Sequence, residues 1–152
     1  MHRANPDGCG FATLDGRVFK SLSYTQFLKE FRANVTKETA ALIHFRWATH
    51  GSIKPDNCHP FSDGRFVFAH NGVLPIASIN DKTDSEILFE TLLPNLYDFG
   101  ANSDIIKNVL DKYATSSRFA IFDTQNKQVR LFGTFYDING CLYSNVRWLW
   151  CA

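Results

Sequence analysis

The sequence predicts an α+β fold, antiparallel sheets with helices packed on them, in a single domain spanning residues 1–152. Three observations lead there. Strand-like apolar runs occupy the first and last thirds, and the clearest helical spacing falls between them, the order expected of layered α+β domains. The 152 residues, 45% hydrophobic and 14% aromatic, fill one core and are too few for two ordinary domains. No repeat, low-complexity tract or linker interrupts the chain.

Residues 11–14 and 17–20 flank Asp15 and Gly16, a pair that accepts positive φ, so the chain opens with a hairpin on a two-residue turn. Phe27, Leu28 and Phe31 share one helical face in a helix over 24–35, with Ser23 or Thr25 as its cap. Residues 40–47 are nearly continuous in apolar character, as in a strand covered on both faces. An arginine at its end, Arg46, requires a reason. Residues 65–70 form a second such strand, closed by Asn71 and Gly72. Thr83 and Glu86 make a capping box for a helix from 84 to about 97 in which Ile87, Leu88, Thr91 and Leu92 share a face and Pro94 is a point where it can end. Ile105, Ile106, Val109 and Leu110 mark a helix over 104–113 behind Asn102 and Ser103. Strands follow at 118–123, 128–132 and 141–144.

Charge and cysteine usage exclude several classes. With a formal net charge of +1 and scattered basic residues, nothing marks a nucleic-acid or anionic-membrane surface. No stretch approaches the roughly 18 apolar residues that cross a bilayer, and Met1, His2 and Arg3 run directly into polar turn residues, so a cytoplasmic location is expected. Cys9, Cys58, Cys141 and Cys151 are widely spaced without a C-x-x-C pair, which argues against a zinc ribbon or a disulfide scaffold. Reduced structural thiols are expected.

The chemistry concentrates in four segments: His44-Phe45-Arg46-Trp47-Ala48-Thr49-His50-Gly51, His59-Pro60-Phe61, His70-Asn71-Gly72 and Thr83-Asp84-Ser85-Glu86. Their polar residues suit a small zwitterion. Arg46 can grip a carboxylate with two parallel hydrogen bonds, Thr49 and His50 add donors, and Asp84 in a first helical turn can pair with an ammonium. Asn71 can aim its side-chain amide, and Gly72 its backbone N–H, at an oxyanion. Plainer readings stand beside these. Asn71 and Gly72 alone spell a hairpin turn, Arg46 and Asp84 a structural ion pair, and His44 a core histidine. His50, Cys58, His59 and His70 are a zinc alternative whose spacing matches no familiar module. Trp47, Trp148 and Trp150 read as core or interface anchors, the apolar 148–152 tail as a packing segment, and Lys107, Asp111 and Lys112 as a solvated helix face.

With Asn5-Pro6-Asp7-Gly8-Cys9-Gly10-Phe11-Ala12, Ser117-Arg118-Phe119-Ala120 and Leu142-Tyr143-Ser144-Asn145, these segments resemble the class II glutamine amidotransferases of the N-terminal-nucleophile hydrolase superfamily, from near residue 5 to near residue 145. The resemblance implies a four-layer αββα sandwich and hydrolysis of glutamine to glutamate and ammonia through a thioester, with no cofactor and no metal. It further implies that Arg46, Trp47, Thr49 and His50 line a glutamine pocket, Gly51 keeps its turn close to the ligand, His59 braces the loop and Asp84 takes the α-amino group. Asn71 and Gly72 would form the oxyanion hole.

One departure is large. The family attacks with an N-terminal cysteine whose own α-amine, of pKa about 7.7–8.0, is the base. This sequence begins Met1-His2, with four residues before Asn5 where family members carry a few tens. The expectation is an N-terminally incomplete domain missing its first strand and its nucleophile, as a fragment or an inactive form. Two alternatives accompany it: a noncatalytic module that binds glutamine or a related amino acid or acts as an interaction scaffold, and Cys9 as substitute nucleophile, a thiol of pKa about 8.5 needing help from a base or cation. A missing strand exposes ladder groups, so a partner chain or a homo-oligomer is expected to cover it.

Overall fold

The computed structural model describes residues 5–146. Expectations for Met1, His2, Arg3, Trp148, Trp150, Cys151 and the 148–152 tail lie outside the described residues. The fold is α+β with antiparallel sheets.

Strand β1 (Cys9–Thr13) is central to the first sheet, with β2 (Val18–Ser21) and β3 (Ala41–Phe45) antiparallel on either side. The connection between β1 and β2 is a three-residue loop, since Thr13 N–H donates to Arg17 O at 2.9 Å. Sequence had suggested two. Thr13 explains the extra residue: its hydroxyl donates to the Asp15 carboxylate and accepts from Arg17 N–H, so the turn closes on a side chain of the strand itself. Helix α1 (Tyr24–Asn34) starts at Ser23, whose hydroxyl accepts from Gln26 N–H at 3.3 Å. The period-2 alternation of β1 turns Cys9 and Phe11 toward Phe27 of α1 and turns Ala12 the other way.

The second sheet runs β4 (Phe61–Ser62), β5 (Phe66–Asn71), β6 (Arg118–Asp123), β7 (Gln128–Phe132), all antiparallel. Val67 and Ala69 of β5 and Phe122 of β6 pack against Ala12 and Leu42 of the first sheet. On the opposite face Phe66, Phe68, Phe119 and Ile121 meet α2 (Asp84–Phe99) and α3 (Asp104–Asp111) through Leu88, Leu92, Leu96, Ile106 and Leu110. Each fully buried phenylalanine there stabilises the fold by about 1.5–3 kcal/mol. β8 (Tyr136–Ile138) and β9 (Cys141–Tyr143) make a separate hairpin.

Two further expectations change. β3 is not covered on both faces: Ile43 is 44% exposed, and among the described residues β3 pairs with β1 alone. Pro94 does not end α2, which continues to Gly100, whose N–H donates to Leu96 O at 2.9 Å. Pro94 itself lies on the exposed side of the helix.

Candidate functional site

The site is assembled by the loop after β3, the turn after β5 and the first turn of α2. Main-chain bonds fix the loop's start: Arg46 N–H donates to Gly8 O at 2.8 Å and Asp7 N–H to Arg46 O at 3.1 Å, extending the β1–β3 ladder. The Asp7 carboxylate then accepts from Ala48 N–H at 2.8 Å. Arg46 is 3% exposed, and its guanidinium donates to three carbonyls of its own loop, His50 O at 2.8 Å, Ser52 O at 3.0 Å and Gly51 O at 3.4 Å. Three of its five N–H donors therefore shape the loop. Asp81 holds the loop's far side, accepting from Ser52 N–H at 2.7 Å and Ser52 Oγ–H at 2.6 Å and pairing with Lys54 at 2.8 Å. Those donors hold its carboxyl well below the usual range. Gly51, at φ 70°, lies against the Asn57 amide, and an added Cβ would come within 2.7 Å of it.

At the end of β5, Asn71 donates from Nδ2 to Ser144 Oγ at 2.7 Å. The next residue, Gly72, adopts φ 150° with no room for a Cβ, which would sit 2.4 Å from Ser117 Oγ. Only glycine fits. The turn is then tied to α2, because Leu74 N–H donates to Asp84 Oδ2 at 2.8 Å while Asp84 Oδ1 accepts from Ser85 N–H at 2.7 Å. Thr83 caps this helix, accepting from Glu86 N–H at 3.1 Å. His50 closes the circuit: its Nδ1 lies 3.8 Å from Asp84 Oδ2. Asp84, 4% exposed, thus stands between the loop of Arg46 and the turn of Asn71 and Gly72, at a helix N-terminus that favours negative charge.

Three histidines lie behind. His44 and His59 meet at a tilt, 4.3 Å between ring centroids, and His59 meets Phe61 edge-on at 4.8 Å. His70 is 3% exposed, lies face to face with Phe119, and is gripped at both nitrogens, Nδ1 by Ser85 Oγ at 2.9 Å and Nε2 by Ser117 Oγ at 3.0 Å. Burial lowers His44 and His70 to about 4 and pushes His59 well below the ordinary histidine value, with His44 and His70 adding to the effect. All three are neutral at pH 7, as buried imidazoles are.

The sequence-derived residues meet with different fates. His50 lies beside Asp84, and the turn of Asn71 and Gly72 is tied to Asp84 through Leu74. Arg46 and Asp84 form no ion pair: the guanidinium is spent on loop carbonyls, and the carboxylate accepts from Leu74 N–H and from the N–H and hydroxyl of Ser85. Thr49 is exposed beside Trp47, which at 64% exposure is no core anchor. His59 is buried behind the loop, without a hydrogen-bond partner for either ring nitrogen among the described residues. Cys9 is fully buried against α1, its thiol donates to Ser21 O at 3.4 Å, and burial pushes it up to about 11, the reverse of what a nucleophile needs. Burial raises Cys58 too. Among the described residues no group of three His, Cys, Asp or Glu side chains is placed to hold a metal. Ser85, Ser117, Asp7 and Ser144 lie in the segments that carry the resemblance but received no role from sequence, and Asp81 was not singled out. Ser85 could have been given one as the residue beside the first-turn acid Asp84; the others find their partners across long stretches of chain, which no local pattern encodes.

Comparison with known proteins now bears on the assembly. The family model for class II glutamine amidotransferases matches residues 7–129. Curated relatives include glutamine–fructose-6-phosphate aminotransferases (isomerizing). That of Lactococcus lactis subsp. lactis is 31% identical over 105 residues, 60% of this chain and 17% of that enzyme. Enzyme 1 of Arabidopsis thaliana is 35% identical over 102 residues, 65% of this chain and 13% of that enzyme. That of Streptococcus mutans is 30% identical over 131 residues, 76% of this chain and 21% of that enzyme. The chain thus spans about a fifth or less of these relatives' length. No described helix is long and apolar enough to cross a membrane. On the strength of the match across residues 7–129, the chain belongs to the class II glutamine amidotransferases.

Proposed function

We propose that this chain forms the glutamine-recognition and oxyanion-stabilising part of an amidohydrolase that converts glutamine to glutamate and ammonia. The observation that carries the reading is the meeting at Asp84: His50 from the β3 loop lies 3.8 Å from its carboxylate, and the turn bearing Asn71 and Gly72 is bonded to it through Leu74. Asp84 takes the substrate ammonium, Thr49, His50 and Arg46 with their loop receive the α-carboxylate end, and Asn71 Nδ2 with Gly72 N–H receives the oxyanion formed at the amide carbon. Asn71 has a second Nδ2 hydrogen beyond the one given to Ser144. Trp47 flanks the pocket, and Gly51 and His59 hold the loop in place. Cys9 and Cys58 are buried with raised thiols, which leaves both unsuited to attack, and in this reading the attacking thiolate is supplied from outside residues 5–146.

The finer fold reading is the four-layer αββα sandwich of the N-terminal-nucleophile hydrolases as one domain. Three separate cores support it: α1 against β1, one sheet against the other, and α2 with α3 against β5 and β6. The outer edge of β3, which pairs with β1 alone among the described residues, and the short β4 that pairs only Val67 and Phe68 of β5 leave places for a further strand, from this protein or a partner.

Mass spectrometry of the native N-terminus combined with a glutaminase assay on that native protein tests the reading. Glutamine turnover by a species with an N-terminal cysteine supports it. A native protein that binds glutamine calorimetrically without turning it over supports the noncatalytic module, which the raised thiols of Cys9 and Cys58 favour. Neither binding nor turnover removes both.

A further inference from the structure

His70 is assigned nothing by the reading above, yet its ring reaches a serine beside each half of the proposed site. It projects from β5 on the face toward α2, immediately before Asn71 and Gly72. Nδ1 lies 2.9 Å from Ser85 Oγ and Nε2 lies 3.0 Å from Ser117 Oγ. Ser85 Oγ is also 3.1 Å from Asp84 Oδ1. A carboxylate only accepts, so the single Ser85 hydroxyl proton goes to Asp84, and the hydroxyl must accept from His70. Nδ1 of His70 therefore carries the hydrogen. On a neutral ring Nε2 is then bare and accepts the Ser117 hydroxyl proton. The chain of bonds has one direction, from Ser117 through His70 and Ser85 to Asp84, and neutrality follows from the burial that takes the imidazole to about 4.

Gly72 rests on the far end of this chain. The position a Cβ would occupy is 2.4 Å from Ser117 Oγ and 2.8 Å from His70 Nε2, so the Gly72 backbone is seated on those two atoms. We propose that His70 is a positioning residue, held as its Nδ1–H tautomer, that sets the distance and orientation of the oxyanion-binding Asn71–Gly72 turn relative to the ammonium-binding Asp84. It touches no substrate and transfers no proton. This rests on the glutamine reading of the same site and adds a coupling between its two ends. A displacement of about 1 Å in a donor costs as much as 100-fold in rate, so a rigid strut there matters.

The test uses the full-length native protein with two variants that each keep half of the strut. In His70→Asn the amide nitrogen replaces Nδ1 and retains the bond to Ser85. In His70→Gln the amide group reaches the Nε2 position and retains the bond to Ser117. Both are checked for native melting. The Asn variant is expected to lower kcat about tenfold with KM held within about twofold, and the Gln variant to raise KM about tenfold with kcat held within about twofold. Nitrogen-15 NMR of the wild-type ring is expected to report a protonated Nδ1 and a bare Nε2. The inference is overturned alone if glutamine is turned over and both variants move kcat and KM together, or if the ring is the Nε2–H tautomer. A native protein without glutamine turnover overturns the functional reading, and the inference with it.

Discussion

Asp84 divides its work between two oxygens, Oδ2 accepting from Leu74 N–H and Oδ1 from Ser85, while its charge faces His50. Asp84→Asn removes that charge and sets an N–H₂ against one of those backbone donors. Glutamine affinity is expected to fall about 10- to 100-fold in calorimetric titration, the worth of a charge-assisted bond, and an unchanged affinity would detach Asp84 from the ligand. The histidines give a second test. His44 and His70 fall from 6.5 to about 4 in the fold, so the unfolded chain binds protons more readily. Their stabilisation is complete above about pH 6.5 and is lost as pH falls toward 4, by roughly 3 kcal/mol for a shift of that size. Urea midpoints measured at pH 7 and pH 5 should show the loss, and His44→Phe should reduce it. Residue type made Asp84, Asn71 and Gly72 legible in the sequence, because an acid in the first turn of a helix and an Asn-Gly step after a strand carry their chemistry locally. Arg46 was legible as a charge that needed a partner, and a carboxylate was the partner its residue type suggested. Its partners are main-chain carbonyls of residues 50–52, which no side-chain pattern encodes.

The helices show how local chemistry fixes element boundaries. Thr83 is buried and its hydroxyl takes Glu86 N–H, so Thr83→Ala is expected to destabilise the protein by about 1 kcal/mol in chemical denaturation. A null result would mean that tertiary contacts alone hold the first turn in which Asp84 sits. Pro94 is the opposite case, an exposed interior proline that removes the bond to the Glu90 carbonyl. Pro94→Ala restores a donor and should raise stability by about 1–3 kcal/mol, read as a higher urea midpoint with an unchanged slope; a lower midpoint would show that the helix is packed around a proline bend. α1, α2 and α3 were readable from caps and 3.6-residue spacing, as were β6 and β7 from their alternation. The two residues of β4, the three of β8 and the 3₁₀ turn at Pro55–Asn57 were not. Segments so short hold no period, and their pairing is decided by neighbours distant in sequence.

At the scale of the molecule, the separate cores explain why the site lies where it does. Ala12, Leu42, Val67, Ala69 and Phe122 join the two sheets, and the loop after β3 and the turn after β5 emerge from those joined sheets to meet at Asp84. The same arrangement leaves β3 exposed. It pairs on one side only among the described residues, and Ile43, 44% exposed, stands on it. An edge strand that carries an exposed apolar side chain recruits another strand. The isolated chain is therefore expected to self-associate through β3, with sedimentation velocity showing a weight-average mass that rises with concentration. Ile43→Lys, which places a charge on that edge without touching Asp84, should lower the association while leaving the melting temperature close to that of the parent chain. A chain that stays monomeric at every concentration and melts cooperatively would mean that the β3 edge is already covered by residues outside 5–146. In that case the search for an added strand would move inside the protein and away from any partner.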